Sequence, residues 1–309
     1  MKIVFMGSAE FGIPALEQIM KNHTVAAVVS TPAKPKGRGL KLFDSPVTEF
    51  ARQHKLQPVL TPEKLKDPSF IEQLKSLEAD LFVVVAYRIL PKEVFSIPAL
   101  GTVNIHASLL PRFRGAAPIQ RAIEAGEKET GITVFRIDEG IDTGEVLAQK
   151  RIPIDPQETT PSLYEKLSRM GAELIEDTLQ KLERGNIQPL EQNVLQATKA
   201  PKLRREEAHI DWNLDARCIF NKIRAFKPFP KSFALLDNSR LGIEWAVPVD
   251  EDCSPGNPGL VCRVNKDHFD VQCGKGLLRV LEVKPEGRKT MEVRAFLLGT
   301  KLDKGTVLS

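Results

Sequence analysis

Short apolar runs alternate with stretches of helical period through the first half of the chain. KIVFM (residues 2–6), TVAAVVS (24–30) and ADLFVVVAYRIL (79–90) read as buried strands, rich in β-branched residues. Between them, the residues after GSAEFG up to about Lys21, then SPVTEFARQHKL and PEKLKDPSFIEQLKSL, have the spacing of amphipathic helices. Strand alternating with helix predicts a parallel sheet in an α/β architecture. Residues 101–108 read as a further strand, AAPIQRAIEAG as a helix closed by Gly126, and ITVFRID (132–138) as the next strand. EVLAQKRIPI returns after so short a connection that antiparallel pairing is expected. Thr160 and Pro161 open a long helix with Leu163, Leu167, Met170, Leu174 and Leu182 on one stripe, ending at Gly185.

From 186 to 206 the pattern lapses into polar and basic residues, which reads as a linker. Beyond it, a helix near 213–226 precedes short alternating strands separated by Asp-Asn, Pro-Gly, Cys-Gly and Pro-Glu-Gly turns. GLVCRV, HFDVQC, LLRVLEV and the closing GTVLS fit a small β-barrel. The expected organisation is a Rossmann-like, mostly parallel open sheet over residues 1–185, a linker over 186–206, and a barrel domain over 207–309.

Composition agrees with two domains, since 309 residues with 42% hydrophobic content suffice for two cores. No run approaches the ~20 apolar residues of a membrane span. Glu10 and Glu17 interrupt the N-terminal apolar stretch, so it reads as strand, turn and helix rather than a signal peptide, and a cytoplasmic location is expected. Cys218, Cys253, Cys262 and Cys273 match no zinc spacing and are expected as thiols. The five histidines lie far apart without ligand spacing, so no metal site is expected.

Charge changes the picture in two places. Residues 186–309 carry 20 basic against 16 acidic side chains, the whole of the net +4. Lys199, Lys202, Arg204, Arg205, Arg217, Lys222, Arg224, Lys227 and Lys231 crowd together there, either as a solvated face or as a phosphate-binding surface. Residues 32–46 have no apolar period and set Lys34, Lys36, Arg38 and Lys41 around two glycines. They read as a mobile basic loop, of a kind that can order against a nucleic acid backbone. The βαβ opening does not fit NAD: Ala9 stands where the fingerprint needs its middle glycine, and Ser30-Thr31 where it needs an acid.

Chemistry concentrates in GTVNIHASLLPRFRGAAP (101–118). Asn104 and His106 are two apart on a strand and share a face. Were 101–108 and 132–138 neighbouring strands, their following loops would share a rim and bring Asp142 to that pair. A carboxylate beside an imidazole favours its protonated form, and an imidazolium with an amide donor suits an oxyanion growing on a carbonyl. No Ser or Cys stands in a nucleophile motif, so acyl transfer would be direct. Singly, each residue has a plainer alternative: Asn104 as a turn cap, His106 as a core histidine, Asp142 as the Asx turn of the Gly140–Gly144 loop.

GSAEFG, PKGRGLKL, VVVAYRILP, NIHASLLPRFRGAAPIQRAI, GIDTGEVL and PEGRKTM together resemble the methionyl-tRNA formyltransferase family over nearly the whole chain. The resemblance implies the formyltransferase fold with an OB-like C-terminal barrel that contacts tRNA. It implies 10-formyltetrahydrofolate as formyl donor and initiator methionyl-tRNA as acceptor, with no obligatory protein partner. Its catalytic residues fall on Asn104, His106 and Asp142, and its folate-binding SLLP on Ser108, Leu109, Leu110 and Pro111. Backbone groups of 86–91 and 138–142 would hold the pterin, involving Tyr87, Arg88, Ile89, Leu90, Asp138, Glu139 and Gly140. Lys34, Lys36, Arg38, Lys41, Arg204 and Arg205 would meet tRNA, Arg38 foremost. At Tyr87-Arg88-Ile89 many members have a glycine and one more residue. Rival expectations are transfer to a sugar or nucleotide amine, hydrolysis of the donor, or a non-catalytic RNA-binding module.

Overall fold

The computed structural model describes residues 1–36, 41–251, 253–254 and 256–309, the side chains of Lys36 and Lys41 excepted. The chain forms two compact units. The first comprises Met1–Pro118, Glu129–Pro153 and Tyr164–Pro201; the second comprises Ile119–Lys128, Ile154–Leu163 and Lys202–Ser309. Residues 186–201, expected as part of a linker, thus belong to the first unit, and two short segments of the N-terminal half belong to the second.

The chain begins β1 (Lys2–Gly7), α1 (Ile13–Asn22), β2 (Thr24–Val29), β3 (Lys34–Lys36), β4 (Lys41–Phe43), α2 (Pro46–Gln53) and β5 (Val59–Leu60). It continues α3 (Pro68–Ser76), β6 (Leu81–Val85), α4 (Lys92–Phe95), β7 (Thr102–His106), α5 (Pro118–Glu124), β8 (Glu129–Arg136), β9 (Val146–Pro153) and α6 (Thr160–Glu183). Seven strands form one sheet in the order β5-β2-β1-β6-β7-β8-β9. The first five are parallel, and β8 alone runs the other way, pairing antiparallel with β7 and β9, which is the mostly parallel sheet that the alternation predicts. Val4, Met6, Val29, Phe82 and Val84 pack on one face with Phe70 and Leu74 of α3. Helix starts follow local chemistry: Ser45 accepts from the Thr48 N–H and Asp67 from the Ser69 N–H, each with proline as first helical residue.

Two expectations are corrected. The basic stretch 32–46 is not loop throughout, because β3 and β4 pair as an antiparallel ribbon (Lys34↔Phe43, Lys36↔Lys41); Arg38 lies outside the described residues. The shared-rim route to Asp142 also fails. β7 and β8 are antiparallel, with Asn104 opposite Phe135 and His106 opposite Thr133, so their following loops leave from opposite ends.

In the second unit α7 (Ala216–Ala225) precedes β10 (Phe233–Leu236), β11 (Ser239–Val249), β12 (Val261–Val264), β13 (Phe269–Gln272), β14 (Leu277–Pro285), β15 (Met291–Glu292) and α8 (Val293–Gly299). The strands form an antiparallel sheet in the order β10-β11-β14-β13-β12, with β15 on β14. The closing residues complete the curve. Leu308 donates to the Gly259 carbonyl and Val261 to that of Thr306, while Ser309 exchanges two bonds with Leu235 of β10. The core holds Trp212, Phe220, Phe269 and Phe296.

Contrary to the thiol expectation, Cys253 and Cys262 form a disulfide, their Cα atoms 6.2 Å apart. The Cys253 and Ser254 amides both donate to the buried Gln272 Oε1 of β13, while the disulfide ties the same loop to β12; nine-residue spacing gave no sign of this. Cys218 and Cys273 take no part in this disulfide.

The basic cluster is also thinner than its sequence suggests. Arg224 is buried and donates to Asn221 and to the Glu158 carbonyl, and Lys231 pairs with Glu244 at 2.9 Å. Burial pushes the ammonium pKa of Lys222 and Lys227 below the usual lysine value.

Candidate active site

β7 carries the first two candidate residues. Its alternation buries Val103 and Ile105 at one register and sets Asn104 and His106 at the other. His106 is 6% exposed and stands edge-on to Phe135 at 6.4 Å. Its Nε2 lies 2.8 Å from the carbonyl of Phe113, an acceptor only, so Nε2 carries a proton. Phe113 presents that carbonyl from a left-handed conformation (φ 60°), with its own N–H on Thr198 Oγ1 at 2.8 Å. His106 Nδ1 faces Asp142 Oδ2 at 3.6 Å, too far for a hydrogen bond but close for opposite charges. Both ring nitrogens therefore look at acceptors.

Asp142 reaches this position because the β8–β9 connection folds back over the face that bears Asn104 and His106. Ile137 is still bonded to Thr102, at the start of β7, whereas Asp142 lies beside His106 at its end. Gly144 permits the return: a Cβ there would sit 1.7 Å from the Arg136 carbonyl oxygen. Asp142 is left-handed (φ 54°), and its Oδ2 accepts the Gly115 N–H at 2.8 Å. The Asx turn of this loop belongs to Asp138 instead, whose Oδ1 accepts from the Gly140 N–H (3.0 Å) and the Thr143 hydroxyl (2.6 Å).

Asn104 completes the group. Its Oδ1 is buried and has no hydrogen-bond partner among the described residues. A buried amide oxygen left unpaired costs ~1–3 kcal/mol, a cost relieved when a ligand supplies the donor. That favours a working amide over a turn cap.

The other expected residues separate into those open to a ligand and those engaged by the protein. Ser108 is fully buried and its hydroxyl donates to the Arg112 carbonyl, so it shapes the turn; Leu110 is buried too, while Leu109 and Pro111 are half-buried. Tyr87 donates to the Ser30 carbonyl, and Arg88 to the carbonyls of Pro62 and Glu63. Ile89 is exposed and Leu90 is buried. Lys92 and Glu139 meet at 2.5 Å and tie the segment after β6 to the loop after β8. Lys34, Arg204 and Arg205 are exposed, and the Arg204 amide donates to Glu207.

Sequence reasoning missed four supporting residues. Thr133 Oγ1 donates to the Ser108 carbonyl and accepts from the Leu110 amide and from Gln149 Nε2, which also reaches the Leu110 carbonyl. Thr198 and Gln192, in the stretch read as linker, hold the loops of Phe113 and Asp142. Residues 198–200 run parallel to 114, where a Cβ on Gly115 would stand 2.7 Å from the Ala200 oxygen. Nothing in hydrophobic period marks such residues, because their partners are backbone groups.

Comparison with known proteins identifies the family. Residues 1–179 match the formyl transferase family and residues 202–301 its C-terminal domain. The chain is 43% identical over 311 aligned residues to a methionyl-tRNA formyltransferase of Caldanaerobacter subterraneus subsp. tengcongensis, covering 100% of both. Among solved structures, WlaRD, a sugar 3N-formyl transferase, superposes with a TM-score of 0.68 at 20% identity, covering 94% of this chain and 99% of that one. Methionyl-tRNA formyltransferase from Clostridium thermocellum gives 0.54 at 21% identity, covering 80% of this chain and 93% of the other. At such identities the two structures speak for the fold. With full-length identity above 40% and both domains matched, the chain belongs to the methionyl-tRNA formyltransferase family.

Proposed function

We propose that this protein transfers the formyl group of 10-formyltetrahydrofolate to the free α-amine of initiator methionyl-tRNA. One observation carries the chemistry: an amide with a buried, unpaired oxygen, an imidazole and a carboxylate, from two separate segments, lie at one sheet face, with His106 Nδ1 3.6 Å from Asp142 Oδ2. The full-length family match supports the choice of substrates.

The roles follow from which atoms are already engaged. His106 Nε2 is held by the Phe113 carbonyl, so Nδ1 is the nitrogen left to serve the reacting group. In the reaction an Nδ1–H of the ring donates to the formyl oxygen as charge grows there, while Nε2 stays held by Phe113. Asn104 presents its amide N–H to the same oxygen, and its unpaired Oδ1 is left for an N–H of the incoming amine. Asp142 holds the imidazolium by charge and takes the proton the amine sheds, directly or through water. The new C–N bond forms on the amine as the bond to N10 breaks, and the proton that Asp142 took from the amine passes to the leaving N10, directly or through water.

Donor binding is assigned to the backbone of 86–91 and 138–142 and to the Ser108–Pro111 turn, which Lys92–Glu139 and Thr133 brace. Acceptor binding is assigned to Lys34, Lys36, Arg38, Lys41, Arg204 and Arg205, with residues 1–185 as the catalytic domain and 207–309 as a tRNA-contacting barrel. Among the described residues no helix is long and apolar enough to cross a membrane. Incubating the protein with 10-formyltetrahydrofolate and methionyl-tRNA, a nucleotide-linked amino sugar, or water alone tests the assignment. Formyl appears on methionyl-tRNA only; transfer to the sugar or release of formate at equal rate contradicts it.

A further inference from the structure

We infer that Gln192 is a positioning residue that fixes the Asp142 loop for formyl transfer, an inference resting on the catalytic reading of Asp142 above. Gln192 uses its whole amide. Its Oε1 accepts from Arg114 Nε (3.1 Å) and Nη2 (2.7 Å), and its Nε2 donates to the carbonyls of Asp142 (3.0 Å) and Gly144 (2.7 Å). A guanidinium only donates and a carbonyl only accepts, so the amide has one possible orientation. Glutamate reproduces the Arg114 side alone, and an apolar side chain reproduces neither.

The loop needs such a clamp. Asp142 is held in a left-handed conformation that costs a non-glycine residue ~1–3 kcal/mol, and persists only where its surroundings over-determine it. Its carboxylate is fixed at the far end by the Gly115 N–H, and Gly115 follows Arg114. Gln192 thus joins the two segments whose approach brings Oδ2 to His106: the Asp142 backbone on one side and the Arg114–Gly115 turn on the other. Releasing the two carbonyls lets the left-handed turn relax and moves the carboxylate. A misplacement of about 1 Å in an aligned group costs on the order of 100-fold in rate.

A merely structural role, docking residues 186–201, would need only the Arg114 contacts, which separates the alternatives. The test measures kcat, KM for both substrates and Tm for Asp142→Asn, Gln192→Glu, Gln192→Met and the double variant of Asp142→Asn with Gln192→Glu, all in the full chain. Gln192→Glu is expected to keep Tm, and KM within about twofold, while lowering kcat roughly 10- to 100-fold. Gln192→Met is expected to show the same kcat loss, and decides the question should the glutamate variant unfold. On the Asp142→Asn background, Gln192→Glu lowers kcat no further. Wild-type kcat for a folded Gln192 variant, with Asp142→Asn impaired, overturns the positioning role and leaves the catalytic reading standing. So does a full additional loss in the double variant. Wild-type kcat for Asp142→Asn removes the catalytic reading and this inference with it.

Discussion

The unpaired Asn104 oxygen and the buried His106 ring, with a carboxylate 3.6 Å from its Nδ1, are the features for which a folded core gives no reason. Deleting one donor to a growing oxyanion typically costs ~100- to 1000-fold in kcat. Asn104→Ala is therefore expected to lose that much, with KM for tRNA little changed in steady-state assays. An unaltered kcat removes Asn104 from the mechanism. The pairing of Asn104 with His106 was legible in the sequence, because a period of two puts both on one face whatever the sheet does around them. Asp142 does lie beside His106, but not by the shared rim that the sequence suggests. Its approach depends on a loop folding back through Gly144 and a left-handed turn, and neither hydrophobic period nor strand order encodes that path. The Asx turn expected of Asp142 is made by Asp138, which accepts from the Gly140 N–H, while the Asp142 carboxylate accepts from that of Gly115.

Strands and helices long enough to show their period were readable, and the sheet follows from them. The three-residue strands of the β3–β4 ribbon were not, since three residues carry no period. Residues 186–201 were unreadable for another reason. They contribute hydrogen bonds to the loops of the site rather than apolar surface to a core, so a polar composition disguised them as a linker. Gly115 is the sharpest point of that contact. It has φ 125° and would place a Cβ 2.7 Å from the Ala200 oxygen. Gly115→Ala is expected to cost more than ~1 kcal/mol and to lower Tm by several degrees in a thermal melt. A variant that melts with the wild type shows that 198–201 is not held against the site turn.

At the scale of the whole chain, usable basic charge is what the sequence overstates. Of the nine cations between 199 and 231, Arg224 and Lys231 are engaged within their own unit, and Lys222 and Lys227 are half-buried. The exposed remainder, with the 34–41 basic stretch, is what phosphate contacts can draw on. Arg38→Ala is expected to raise KM for tRNA while leaving KM for the folate donor intact, and to flatten the dependence of log KM for tRNA on log salt by roughly one phosphate's worth. Equal losses toward both substrates contradict the assignment of residues 34–41 to tRNA.

Groups that act together on one atom are not independent, and that is the most direct test of the account. Single-turnover formyl transfer, at saturating donor and methionyl-tRNA, is to be timed for Asn104→Ala, His106→Ala, Asp142→Asn and the triple variant. The account predicts a triple variant scarcely slower than the most impaired single one. A triple loss equal to the product of the three single losses, or any single variant at the wild-type rate, contradicts it.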